Sequence, residues 1–144
     1  MAGSSESQKT GKDGVKVKII RFRAWNKVKK EMITDVINNC VDNFDMVLKH
    51  PQIYDVMQYT GLKDKNGVEI YEGDVVSASW YDYEEPRCDA IGQIIFNENW
   101  CSYCIWDEEN KKMSELNGQG AYYWEIEVIG NIYDNPELLE SLNV

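Results

Sequence analysis

The sequence predicts a mainly β protein: a small SH3-like bent barrel with an N-terminal β-hairpin and a short C-terminal helix. Three observations predict it. Apolar residues recur with a period of two in short runs, Gly-, Asn- and Asp-rich breaks separate those runs, and one clear helix-start signal stands near the C-terminus. The 144 residues are 43% hydrophobic and 12% aromatic, which suits one compact domain with a real core. Residues 1–14 contain one apolar residue after the initiator and read as a disordered tail, leaving 15–144 as the domain.

From Val15 the chain alternates, with Val15, Val17 and Ile19 opposite Lys16 and Lys18. A one-residue shift at Ile19-Ile20 then sets Ile20, Phe22 and Ala24 opposite Arg21, Arg23 and Trp25, as a bulge or bend would. A polar turn at 26–30 before Met32-Ile33 completes a β-hairpin. Residues 34–50 admit two readings. Val36, Ile37, Cys40, Val41, Phe44, Val47 and Leu48 form a helical stripe with Thr34 and Asp35 available as caps, whereas the Asn and Asp residues among them favour strand and loop. Pro51 ends either form, because its ring disfavours helical geometry at His50.

Beyond Pro51 the pattern is β. A strand is expected over 53–59, and Asn66-Gly67 suits the positive φ values of a type I′ hairpin. Val68, Ile70 and Tyr71 resume the strand, Glu72-Gly73-Asp74 breaks it, and 75–80 continues in a new direction. The acidic segment 81–86 is a loop, and strands follow at 90–96, 100–106 and 125–132. Gly61, Gly67 and Gly73 stand where turns need positive φ or close backbone approach. At the C-terminus, Asn135 as cap, Pro136 at the first helical position and Glu137 near the dipole's positive end start a helix. Trp25-Asn26 with Lys30 and Met32 has the same spacing as Trp106-Asp107 with Lys111 and Met113. A shared hairpin geometry is favoured over duplication as its cause.

The net charge of −10 is uneven: residues 1–50 carry 10 Lys and Arg against 6 Asp and Glu, and residues 51–144 carry 5 against 19. An acidic protein repels phosphates, so nucleic-acid binding by the whole surface is excluded while a local basic patch is not. No apolar run approaches the roughly 20 residues of a membrane span, and the N-terminus lacks a signal peptide's apolar stretch. A cytoplasmic location is expected, with the four cysteines reduced.

Cys101 and Cys104 have the Cys-x-x-Cys spacing, but they read as strand residues facing opposite sides, and a zinc site would need Cys40, Cys88 or His50 to converge from unrelated segments. They are read as structural thiols, with no cofactor and no metal. Glu72 with Asp74 and Glu125 with Glu127 are carboxylate pairs, yet no partner selects any of them as a general acid and base. There is no phosphate loop, nucleophile elbow or His-containing constellation, so no catalytic residue is nominated and an enzyme is not expected.

Binding is the more credible class. Arg21, Arg23 and Trp25, beside Lys27 and Lys30, combine cations with an aromatic ring as a single-strand nucleic-acid platform does. The same residues suit pairing with acidic surface of this chain or of a second copy, and that use is favoured. In the second half, Trp80, Tyr81, Tyr83, Tyr103, Trp106, Tyr122, Tyr123 and Trp124 stand among acids, and several exposed together would make a protein-binding surface.

Four segments carry a family likeness: Ile20 to Asn26 with Lys30 and Met32, Met57 to Gly67, Glu69 to Val76, and Val128 to Leu139. In this order they resemble the YopX family of bacteriophage and prophage proteins over about residues 19–139. The sequence departs from the family pattern in the extension before Ile19 and at Asn26, where Asp is more usual. The resemblance implies a phage or prophage origin, a bacterial host cell, a mostly β fold and an oligomer, without an established activity. The expected role is noncatalytic interaction with a phage or host protein. Nucleic-acid binding by the basic hairpin is the alternative, and acting as an acidic decoy of a host nucleic-acid-binding protein is the third reading.

Overall fold

The computed structural model describes residues 9–10, 16–38, 43–80, 88–116 and 124–140. The fold is mainly β, and the chain divides into two compact units, Met1–Gly61 and Leu62–Val144. Most of the tail expected over 1–14, the loop at 81–86 and Cys40 lie outside the described residues. The two residues of the tail that are described, Lys9–Thr10 (β1), pair antiparallel with Lys16–Val17 (β2).

In the first unit, Phe22–Asn26 (β3) pairs with Glu31–Ile33 (β4) on one side and with Tyr54–Lys63 (β5) on the other. The expected hairpin is present, but the alternation over 15–24 does not make one strand. Residues 18–21 interrupt the ladder at the shift in pattern. Asn26 is buried and its side-chain oxygen accepts from the amides of Val28 and Lys29, both at 3.0 Å, which folds the chain back at 27–30.

The described residues of 34–50 form neither one helix nor a strand. A 3-10 turn covers Val36–Asn38, and a helix, Phe44–Lys49 (α1), follows after 39–42, which are outside the described residues. Local side-chain bonds compete with a continuous helix here. Asp35 does not cap a helix; at φ 50 its carboxylate holds the Asn38 amide at 3.0 Å. Asn43 is the cap, accepting from Met46 N–H at 2.9 Å. His50 closes the helix before Pro51, its Nδ1 donating to the Met46 carbonyl at 2.8 Å. Val36 and Val47 thus come from two short elements and join Ala24, Ile33 and Tyr54 in one core.

β5 runs past Gly61 into the second unit, where a turn leads to Glu69–Tyr71 (β6). Asp74–Trp80 (β7), Cys88–Asn97 (β8), Ser102–Asp107 (β9), Lys112–Glu115 (β10) and Trp124–Asn131 (β11) form a curled sheet in the order β10-β9-β8-β7-β11, every neighbouring pair antiparallel. Its inner face buries Val76, Ala78, Ile94 and Ile105 with Ile70 and Leu116, each large aliphatic side chain contributing about 1.5–3 kcal/mol. The curl needs a close approach at Gly92. A Cβ there would lie 2.5 Å from Ile105 Cγ2 and 2.8 Å from the Trp106 carbonyl oxygen. β11 carries a bulge between Val128 and Gly130.

Three details differ from the sequence reading. The turn after β5 is not type I′, because Gly67 has φ 82 but Asn66 is not left-handed. The Asp64 carboxylate selects a different turn by accepting from the amides of Asn66 and Val68 at 2.8 and 2.9 Å. Trp100 and Cys101 belong to a turn rather than to the strand at 100–106, since Asn97 accepts from the amides of Asn99 and Trp100. The C-terminal helix is present at Glu137–Glu140 (α2), but Asn135 does not cap it through its side chain, which instead accepts from Asn131 N–H at 3.3 Å.

The repeated Trp-Asx spacing is a shared hairpin geometry. Trp25 pairs with Met32 and Trp106 with Met113, Asn26 and Asp107 are both buried, and Lys30 and Lys111 are left-handed at φ 55 and 51. The β8–β9 turn is a third case, with Asn97 at its start and Cys101 at φ 50.

Candidate interaction surface

The basic residues singled out by sequence separate into two settings. Alternation along β3 puts Arg23 and Trp25 on the face opposite Ala24 and Asn26, and Arg21 precedes the strand with its carbonyl accepting from Tyr59 N–H at 2.9 Å. All three are half-buried. Arg23 lies across from Met57, and Trp25 lies between Met32 and Asp55. Lys27 is exposed; its Nζ sits 3.1 Å from Asp55 and donates to the Pro51 carbonyl at 3.2 Å. Such an exposed pair contributes below about 1 kcal/mol. Lys30 is exposed at the far end of the turn. Arg23 and Trp25 on β3 thus stand beside Lys27 and Asp55, and Lys30 is exposed in the same turn as Lys27, its amide donating to the Asn26 carbonyl at 2.7 Å.

The buried carboxylates hold the backbone in place. Asp64 accepts three amide hydrogen bonds, the third from Val128 at 2.9 Å. Asp74 accepts from Tyr71 N–H at 2.8 Å, and Asp107 accepts from the backbone and side chain of Asn110. Glu127 lies 3.6 Å from Lys65 and accepts from Asn66. Gly61, Gly67 and Gly73 have φ values of 89, 82 and 82, the first within β5 rather than in a turn. Cys101 is exposed in its turn while Cys104 is buried on β9. Among the described residues no group of three or more His, Cys, Asp or Glu is placed to hold a metal ion.

Among the described residues of the second unit, Phe96 and Trp100 are exposed at the β8–β9 hairpin tip, and Val68 and Ile129 are exposed elsewhere. Phe96 and Tyr103 are cross-strand partners whose ring centroids stand 5.2 Å apart, edge to face. Phe96 is 45% exposed, and Trp100 in the adjoining turn is 54% exposed. Tyr103 is half-buried beneath this tip. Burial, and then the charge of Glu72, push its phenol above the ordinary value. Glu72 is brought there by its neighbour, since Gly73 N–H donates to the Ile94 carbonyl at 2.9 Å.

Of the aromatic residues noted in sequence, Tyr103 belongs to this surface and Trp106 is half-buried, its Nε1 donating to Glu108 at 2.6 Å. The side chains of the other six lie outside the described residues. Sequence reasoning misses Phe96 and Trp100 as surface residues, because 100–106 reads as one strand. The signal was available in Asn97-Glu98-Asn99-Trp100, which opens a turn just as Asn26 and Asp107 do.

A sequence model of the YopX protein family matches residues 21–140, most of the chain and parts of both units. The chain belongs to the YopX family. No curated protein matches it. The crystal structure of protein EF1440 from Enterococcus faecalis is similar to this YopX-family chain, with 26% identity and a TM-score of 0.47, over 84% of this chain and 98% of that one. No helix among the described residues is long and apolar enough to cross a membrane.

Proposed function

We propose that this YopX-family chain is a phage or prophage accessory protein of the host cytoplasm that acts noncatalytically, as a protein-interaction module. The observation that carries the reading is the hairpin tip: two large aromatic side chains, Phe96 at the end of β8 and Trp100 in the turn that follows, are each about half exposed. Exposed apolar groups that cluster, rather than lie singly, mark interaction surfaces, and Trp and Tyr are enriched among the residues that dominate binding at protein interfaces. The fates of the buried carboxylates support the same reading, because Asp64, Asp74 and Asp107 are engaged by the amides of their own turns.

Self-association is the first form of interaction to test. Residues 1–61 carry 10 Lys and Arg against 7 Asp and Glu, and residues 62–144 carry 5 against 18, so the two units have net charges of +3 and −13. Opposite signs on two units favour pairing between copies and make it sensitive to salt. The test is a photo-crosslinking amino acid at position 100, with position 112 on exposed β10 as control. The reading expects discrete protein adducts, to a second copy or to another protein, formed from position 100 in cells and absent from position 112. Equal or absent adducts at the two positions would reject it.

A further inference from the structure

The tip has a chemistry more specific than apolarity. An edge-to-face pair leaves ring surface uncovered, and at 45% exposure the Phe96 ring meets solvent. Aromatic faces attract cations through the ring quadrupole, within about 6 Å of the centroid. The carboxylates around the tip favour the same occupant. Glu98 is exposed in the turn that carries Trp100, and Glu72 is close enough for its charge to act on Tyr103. The unit that bears the tip has 18 Asp and Glu against 5 Lys and Arg, which draws basic chains and repels phosphates.

Resting on the interaction reading above, we propose that Phe96, Trp100 and Tyr103, with Glu72 and Glu98, form a recognition site for an arginine or lysine side chain within a basic segment of a partner protein. The aromatic faces supply the contact for the cation and its alkyl stem. The carboxylates raise the local concentration of basic chain and orient it on the tip. The site is preformed on a two-strand hairpin whose turn is tied by Asn97 to the amides of Asn99 and Trp100. Little ordering is then lost when a partner docks.

Fluorescence anisotropy tests this with a labelled peptide of alternating arginine and glycine, and with its citrulline counterpart, which keeps the shape and loses the charge. The arginine peptide is expected to bind the full chain, and the citrulline peptide to bind at least about 10-fold more weakly. Trp100→Ala and Phe96→Ala should each weaken the arginine peptide by about 10-fold. Because both side chains are about half exposed and neither belongs to the buried core, circular dichroism should show these variants folded. Lys112→Ala serves as a control without effect. Equal affinity for the two peptides overturns the proposal, as does unchanged binding by both tip variants, which would assign the effect to diffuse acidic charge. No binding of the arginine peptide also overturns it. Crosslinking from position 100 without arginine-peptide binding would defeat this inference alone and leave the interaction reading standing.

Discussion

The carboxylate of Asp64 accepts a hydrogen bond from the backbone amide of Val128 at 2.9 Å, joining segments 64 residues apart. Its other oxygen accepts from Asn66 and Val68, so one buried side chain sets the turn before β6 and fixes β11 beside it. Hydrogen bonds to a charged acceptor are worth about 1.5–3 kcal/mol each, and amides left without an acceptor add a desolvation cost. Asp64→Ala should therefore destabilise the chain by at least about 3 kcal/mol in urea unfolding, and Asp64→Asn, which keeps one acceptor oxygen, by less. Equal midpoints for Asp64→Ala and wild type would remove Asp64 from this role.

Gly92 and Gly61 should both lose stability to alanine, for different reasons. At Gly92 the added Cβ meets backbone at 2.8 Å, which the curled sheet can relieve only by moving β9; a loss of about 1–3 kcal/mol is expected. Gly61 has nothing within 4 Å, and its cost comes from φ 89 alone, about 1–2 kcal/mol. Thermal unfolding of both variants measures the difference. Tolerance at Gly92 would contradict the close approach of β8 and β9.

The left-handed residues at the hairpin ends offer the opposite sign. Lys30→Gly should stabilise the chain by about 0.5–1 kcal/mol, because glycine adopts φ 55 without a steric penalty and the lysine is exposed. Asn97→Ala should destabilise it by about 1 kcal/mol, since the amides of Asn99 and Trp100 lose their acceptor. Chemical denaturation of the two variants checks both signs.

Legibility followed the local chemistry. Strands β7 and β11 are readable because their apolar residues alternate, β8 because Ala90 to Phe96 is a short, mostly apolar run ending at a turn signal, and Asn135-Pro136-Glu137 marks the C-terminal helix. β10 was missed because Lys112-Met113-Ser114-Glu115 is a polar edge strand, held by pairing with β9 rather than by an apolar stripe of its own. Residues 34–50 stayed ambiguous because Asp35 and Asn43 start separate elements by side-chain bonds that periodicity does not register. The proposed interaction surface is harder still to read. Asn97 turns the chain so that Trp100 stands two residues before β9, and a tryptophan that reads as strand is left on the surface. The Asp64 to Val128 bond depends on tertiary placement and leaves no pattern in sequence.

The two cysteines of the Cys-x-x-Cys spacing should differ in reactivity. Asn97 Nδ2 reaches Met113 Sδ at 2.8 Å from strands on either side of β9, and the register puts Cys104 beneath that contact. Cys104 is fully buried, and burial pushes its thiol above the ordinary 9.0, with the Ser102 hydrogen bond opposing and the Glu115 charge adding. Exposed Cys101 should react with iodoacetamide at pH 8 while Cys104 is spared, as read by peptide mass spectrometry. Asn97→Ala should speed modification of Cys104.

The alkaline limb of stability follows from the same groups. The Cys104 thiol and Tyr103 phenol are both raised in the folded chain, from ordinary values of 9.0 and 10.0. The folded state then binds more protons than the unfolded state as these groups titrate. Their contribution is complete below pH 9.0 and is lost as pH rises through the folded values. Urea midpoints should fall above about pH 9, and Cys104→Ser with Tyr103→Phe should flatten that fall.

Hydroxyl-radical footprinting of Trp100 tests the central claim, an interaction module that works through the β8–β9 tip, most directly. In dilute purified protein Trp100 should be oxidised faster than half-buried Trp106, in keeping with its 54% exposure. In cells that produce the protein, oxidation of Trp100 should drop relative to Trp106 as a partner covers the tip. An unchanged ratio of Trp100 to Trp106 oxidation in cells and in dilute solution would contradict the account.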